Sequence, residues 1–153
     1  MDATESKIVS DVATVGWHMI SVPADEHGPG FTYTIGLIKS YSHPEVIIFG
    51  LANEVMQRVV AVVATLVKGG RAFVNGDVTD EVLENYVCAF RTVRRAHYED
   101  HLGYAMWFNR TVKREEFQTL QCVWPDRNRR FPWESECEEA IRRLQPALYE
   151  ERT

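Results

Sequence analysis

The chain is poor in cysteine and lacks any long apolar run, and each shortage removes a class of protein. Its three cysteines, Cys88, Cys122 and Cys137, are an odd number with no close pair, which fits reduced thiols better than a disulfide framework. None has the spacing of a metal finger. The longest apolar run, residues 59–64, falls far short of the roughly 20 residues that a bilayer crossing needs. The first residues are acidic and polar where a leader would be basic and then apolar. A cytoplasmic protein with no membrane association is therefore expected. A serine-centred elbow, a lysine-bearing phosphate loop and a paired-cysteine motif are also missing, as are internal repeats, low-complexity segments and linkers.

Positive charge is the next shortage. With 17 Lys and Arg against 22 Asp and Glu, the net charge is −5, a sign that repels phosphate backbones over about a Debye length. Three basic clusters exist: Arg94-Arg95, Arg127 with Arg129-Arg130, and Arg142-Arg143. Each is flanked by acids or apolar residues, without the aromatic interleaving of nucleic-acid-binding folds. Nucleic acid is not an expected partner, whereas an acidic surface suits a basic protein.

The composition that is present, 45% hydrophobic and 25% charged, is that of one soluble globular domain, ordered over about 7–145. Apolar and polar residues alternate over 16–22, predicting a first strand closed by Val22-Pro23. A charged, glycine-containing loop follows over 25–30. In 31–37, Phe31, Tyr33, Ile35 and Leu37 point one way and Thr32, Thr34 and Gly36 the other. One face is then bulky and buried, and the small face is free to meet a helix, a backbone or a ligand. Residues 46–49 are apolar without alternation, as in a central strand covered on both sides.

Asn53 offers a cap for a helix over 53–68, whose Val55, Val59, Val62, Val63 and Leu66 recur at helical spacing until Gly69-Gly70 stops it. Valine is a mediocre helix former, so packing across a sheet must hold this helix. Beyond it the pattern predicts a short acidic helix at 81–84, a strand at 86–93, a helix over 97–108 interrupted by Gly103, a last strand at 117–124 and an amphipathic helix at 135–144. The fold class is α+β: a mostly antiparallel sheet with one long helix across it and one or two shorter helices. Strands on either side of a helical crossover are similar in order to small flavin-binding split barrels, by fold analogy alone.

Candidate chemistry rests on a few side chains. Imidazole is the usual neutral-pH base and metal ligand. His97 and His101, four residues apart on a helix, share a face and are the candidate metal pair, with His43 or Glu45 as further ligands. His43-Pro44-Glu45 sets a base and a carboxylate beside a strand. His18 sits at a strand start next to Trp17. Trp124 and Asp126 close the last strand in the rigid Trp124-Pro125-Asp126 turn. With four tryptophans in the chain, large rings are available for packing, for a pocket wall or for an interface.

Several blocks together resemble a known family: Gly16-Trp17-His18, the run Gly28-Pro29-Gly30-Phe31-Thr32-Tyr33-Thr34-Ile35-Gly36-Leu37, His43-Pro44-Glu45, Phe49-Gly50-Leu51, His101-Leu102-Gly103-Tyr104-Ala105 and Trp124-Pro125-Asp126. In this order, over about 16–133, they are similar to the bacterial family designated domain of unknown function 4262. That resemblance implies no reaction, cofactor or catalytic residue. A second likeness, to suppressor-of-fused-like bacterial domains, rests on Thr34-Ile35-Gly36-Leu37, then an apolar strand bearing Glu45, then the valine helix. It implies an immunity-type role, occluding a toxin.

Two functions follow as expectations. The first is a small acidic, non-catalytic binding module, of immunity or regulatory type, that engages a protein partner through aromatic and acidic groups. The alternative is an enzyme or small-ligand receptor, metal- or flavin-dependent, with a pocket beside the Thr32, Thr34 and Gly36 face lined by His18, His43, Glu45 and Asp126. A homo-oligomer is compatible with either.

Overall fold

Two three-stranded antiparallel meanders lie side by side to make one open sheet in the computed structural model, which describes residues 1–152. The first meander is β1 (His18–Val22), β2 (Phe31–Ile35) and β3 (Glu45–Phe49); the second is β4 (Val78–Leu83), β5 (Tyr86–Thr92) and β6 (Thr119–Val123). They join where β3 and β6 run parallel, giving the order β1-β2-β3-β6-β5-β4. The sheet is thus mixed but mostly antiparallel, with free edges at β1 and β4 in place of a split barrel. β3 and β6 are buried along their whole length, which is why 46–49 reads as an unbroken apolar run.

Helix α3 (Asn53–Lys68) packs on one face. Its valines meet Val46, Ile48, Phe90 and Leu120 in one apolar layer. The opposite face carries Tyr33, Ile35, Ile47 and Phe49. It is covered by α1 (Ala3–Thr14), α4 (Tyr98–His101), α5 (Gly103–Thr111) and, near the C-terminus, by Leu148. The small face of β2 is therefore the one roofed by α3, with Thr32 and Thr34 fully buried.

Four local expectations need correction. The strand at 31–37 ends at Ile35: Gly36 (φ 109°) turns the chain into α2 (Leu37–Tyr41), so Leu37 joins the α3 layer and not the side of Tyr33 and Ile35. Asn53 is the first helical residue, and the cap position is Ala52, which has no side-chain bond to offer. The far end is as expected: Gly70 N–H donates to the Val67 carbonyl and Arg71 N–H to that of Leu66, a glycine-dependent termination. The acidic stretch 81–84 is not a helix but the end of β4, where Thr79 and Val82 point inward and acids outward, as suits an edge strand. The C-terminal helix is shorter than expected, α6 (Glu139–Leu144), because Glu138 N–H is held by Asp126 and cannot join a preceding turn.

Finally, α1 is an addition. Asp2 accepts from Glu5 N–H at 2.7 Å and Glu5 accepts from Asp2 N–H at 2.8 Å, a reciprocal cap, while Ile8 and Val12 bury one face.

Candidate functional site

Most of the polar side chains singled out by type are engaged by the backbone. Glu45 opens β3, fully buried, with its carboxylate at the amino end of α2. Gly36 N–H donates to it at 3.0 Å, Leu37 N–H at 3.2 Å, Ile38 N–H at 3.4 Å and Thr34 Oγ1 at 2.8 Å. The glycine before α2 has no side chain to cap with, so a carboxylate from the next strand takes that position. Burial lifts the Glu45 carboxyl to about 7 against the pull of those donors. Thr34 Oγ1 also accepts Val46 N–H at 2.9 Å. Thr32 meets Ser21 Oγ at 3.0 Å, and Gln57 of α3 donates to that serine at 3.1 Å, tying helix to sheet.

The imidazoles are spread over separate places. His43 is buried, its Nδ1 donating to the Pro44 carbonyl at 2.8 Å and its Nε2 accepting Phe73 N–H at 2.9 Å. That pairing requires the neutral ring, and burial pushes its pKa down. His18 Nδ1 meets Asp11 at 2.7 Å and pins β1 to α1; Asp11 also takes Lys7, whose bond first and His18's second hold its carboxyl below the usual range. The candidate metal pair divides: His97 Nε2 donates to the Glu150 carbonyl at 2.7 Å, while His101 Nδ1 donates to the carbonyl of His97 at 3.2 Å. Among the described residues no group of three or more His, Cys, Asp and Glu side chains has the arrangement of a metal site. The three cysteines are buried free thiols.

Asp126 organises a loop. Its Oδ1 accepts Asn128 and Arg130 N–H at 2.9 and 3.0 Å, and its Oδ2 accepts Glu138 N–H at 3.1 Å. These bonds, that of Arg130 foremost, hold its carboxyl below the usual range. Trp124 is fixed too: Nε1 donates to the Phe49 carbonyl at 2.7 Å, and Gln145 bonds both its backbone N–H and its carbonyl.

Trp124 and Asp126 do share a cavity. A cleft of about 430 Å³ opens where β3 and β6 end, with Leu51, Leu83, Tyr86, Trp124 and Ile141 as its apolar wall and Glu84, Arg127 and Glu138 at its rim. Arg127 pairs with Glu138 at 3.0 Å. Leu83 and Glu84 also border a second cleft of about 450 Å³ between α3 and β4, bounded by Val55, Val59, Val62, Arg58, Asp80 and Glu81. Glu81 is held by Arg71 at 2.8 Å, but among the described residues no cation lies within ion-pair distance of Asp80 or Glu84. The two clefts share Leu83 and Glu84 and so adjoin as a furrow along β4, beside the exposed Val62. Of the residues singled out in the sequence, the structure brings Thr34 to Glu45 and Trp124 to Asp126, and holds His18, His43, His97 and His101 elsewhere. Leu51, Leu83, Tyr86 and Ile141 were missed, although Phe49-Gly50-Leu51 was among the resembling blocks.

A family model described as a domain of unknown function (DUF4262) matches residues 11–138. The chain belongs to the DUF4262 family. The match takes in all six strands and helices α2 to α5 of this DUF4262 protein and stops just before α6. No curated protein and no solved structure matches it, and nothing supports the likeness to suppressor-of-fused-like domains. No helix among the described residues is long and apolar enough to cross a membrane.

Proposed function

We propose that this DUF4262 protein is a small acidic binding module, of regulatory or immunity type, that takes a basic, apolar-bearing segment of a partner protein in the furrow beside β4. The observation that carries the reading is the furrow itself: an apolar floor of Leu83, Tyr86 and Trp124, with the unpaired carboxylates Asp80 and Glu84 on its lip. Aromatic floors ringed by polar groups are typical of interface anchors. Charge selects the occupant. A second copy of a chain of net −5 would bring like charge to an acidic lip, whereas a lysine-bearing segment gains attraction on approach. Arg58 stands on the opposite, α3 lip, so the complement is an alternation of basic and apolar groups, not a uniformly cationic stretch.

Fluorescence anisotropy with a labelled peptide alternating lysine with leucine and phenylalanine tests this, using its glutamate-for-lysine counterpart as control. The lysine peptide is expected to bind, more weakly as salt rises, and to lose affinity severalfold in Glu84→Lys, an exposed change. Equal binding of both peptides, or no response to Glu84→Lys, would refute the reading, as would sedimentation showing that the furrow is covered by a second copy.

A further inference from the structure

The face of the sheet away from α3 carries a second, unrelated cleft. It has a volume of about 460 Å³, within the range of small-molecule pockets, and lies beneath the loop joining β1 to β2. Its floor is the register pair Phe31 and Phe49, with ring centroids 5.1 Å apart, and Pro146 closes one side. His101 stands over that floor, edge-on to both rings at 5.3 Å. Its Nδ1 is committed as donor to the His97 carbonyl, which leaves Nε2 as a lone-pair acceptor. Among the described residues no protein group engages Nε2, and it is not among the enclosed polar atoms that lack a partner. His101 is one of the residues that line the cleft, and Nε2 is its free nitrogen. Asp25 and Asp100 complete the polar lining together with the exposed His27.

That donor set is one-sided. Nε2 and two carboxylates accept hydrogen bonds, and among the described residues no lysine or arginine lines the cleft itself. A phosphate or carboxylate would meet acceptors along this lining, with Arg152 at the rim already paired to Asp100, whereas a group rich in N–H donors finds three acceptors. The chain supplies its own precedent: the guanidinium of Arg152 sits on Asp100 at 3.3 Å, so the rim already holds one cation. We propose that the cleft beside His101 is a binding site for a small organic amine, an ammonium group on an aromatic or aliphatic body. The body lies against Phe31, Phe49 and Pro146 while the ammonium donates to His101 Nε2 and faces Asp25 and Asp100. Arg152 competes for the same carboxylate.

Benzylamine titrated into the full-length protein, with benzoate as a ring of similar size and opposite charge, is the test, read from the His101 ring resonances. Benzylamine is expected to shift them saturably and benzoate not to. In His101→Phe, which keeps an aromatic edge against Phe31 and Phe49, the shifts of the Phe31 and Phe49 resonances should report binding about tenfold weaker. Arg152→Gln should bind a few-fold more tightly. Should His101→Phe not fold, Asp25→Asn on the exposed turn is expected to weaken binding severalfold while keeping its Oδ1 bond to His27 N–H. Saturable binding of benzoate, no saturable shift with benzylamine, or undiminished affinity in the folded His101→Phe or Asp25→Asn protein overturns the proposal.

Discussion

At the scale of single residues, this protein uses its buried acids to serve backbone. Glu45 is the extreme case, one carboxylate receiving Thr34 and three consecutive amides at the start of α2. An amide in its place would set an N–H₂ against those donors, so Glu45→Gln is expected to cost about 1–3 kcal/mol in chemical denaturation. The sign of its pH dependence follows from its raised pKa. A folded-state value of about 7 against an ordinary 4.5 means that the folded protein binds the proton more tightly. This contribution is full below pH 4.5 and is lost as pH rises through 7. Glu45→Gln should remove that decline from a plot of stability against pH. His43 has the opposite sign: its folded pKa lies below 6.5, so its contribution is full above 6.5 and is lost as pH falls through the depressed value, when a protonated Nε2 would face Phe73 N–H. Residue type alone singled out Glu45, His43 and Asp126 as binding candidates, and in the structure all three bond backbone amides. What they bond was hidden, because the amides that need an acceptor lie at the turn after Gly36, at Phe73 and at Glu138, and only tertiary structure brings them near.

At the scale of elements, legibility tracked burial. β2 and β3 were readable because alternation and an unbroken apolar run report directly which faces are covered. β4 was not, since its outward acids give an edge strand the composition of a helix surface. Helix α1 had a visible signal in Asp2 and Glu5, a capping pair three residues apart that stands before Ile8 and Val12. The furrow was illegible for a different reason: Leu51, Leu83, Trp124 and Ile141 come from four separate segments that no local pattern links. One close approach holds its α6 wall in place. Gly50 has φ 84°, and a Cβ there would strike the Leu144 carbonyl oxygen and come within 2.8 Å of the Leu144 side chain. Gly50→Ala is therefore expected to cost about 1–3 kcal/mol from the backbone conformation alone. It should also lift α6 and Ile141 off the furrow. A lower denaturation midpoint together with altered Trp124 fluorescence would show both effects, and unchanged values would contradict this account of the contact.

At the scale of the whole molecule, the family match ends at residue 138 but the packing does not. The segment after α6 is sewn to β6 by two buried glutamines: Gln121 donates to the Pro146 carbonyl and accepts Leu148 N–H, and Gln145 brackets Trp124. Leu148 fills the core layer opposite α3. Ending the chain at residue 138 would strip Gln121 of its partners, at about 1–3 kcal/mol for each buried group left unpaired, and would forfeit about 1.5–3 kcal/mol of leucine burial. Set against a total stability of about 5–15 kcal/mol, the shortened protein is expected to be largely unfolded by circular dichroism at 37 °C. A cooperative transition at the full-length midpoint would refute this. The parallel seam between β3 and β6 has a consequence for biosynthesis. At about 5–20 residues per second, Phe49 is added to the chain several seconds before Thr119, so the first meander is complete while the outer rim of β3 is still unsatisfied. Nascent chains stalled within that interval should be the ones most in need of a chaperone.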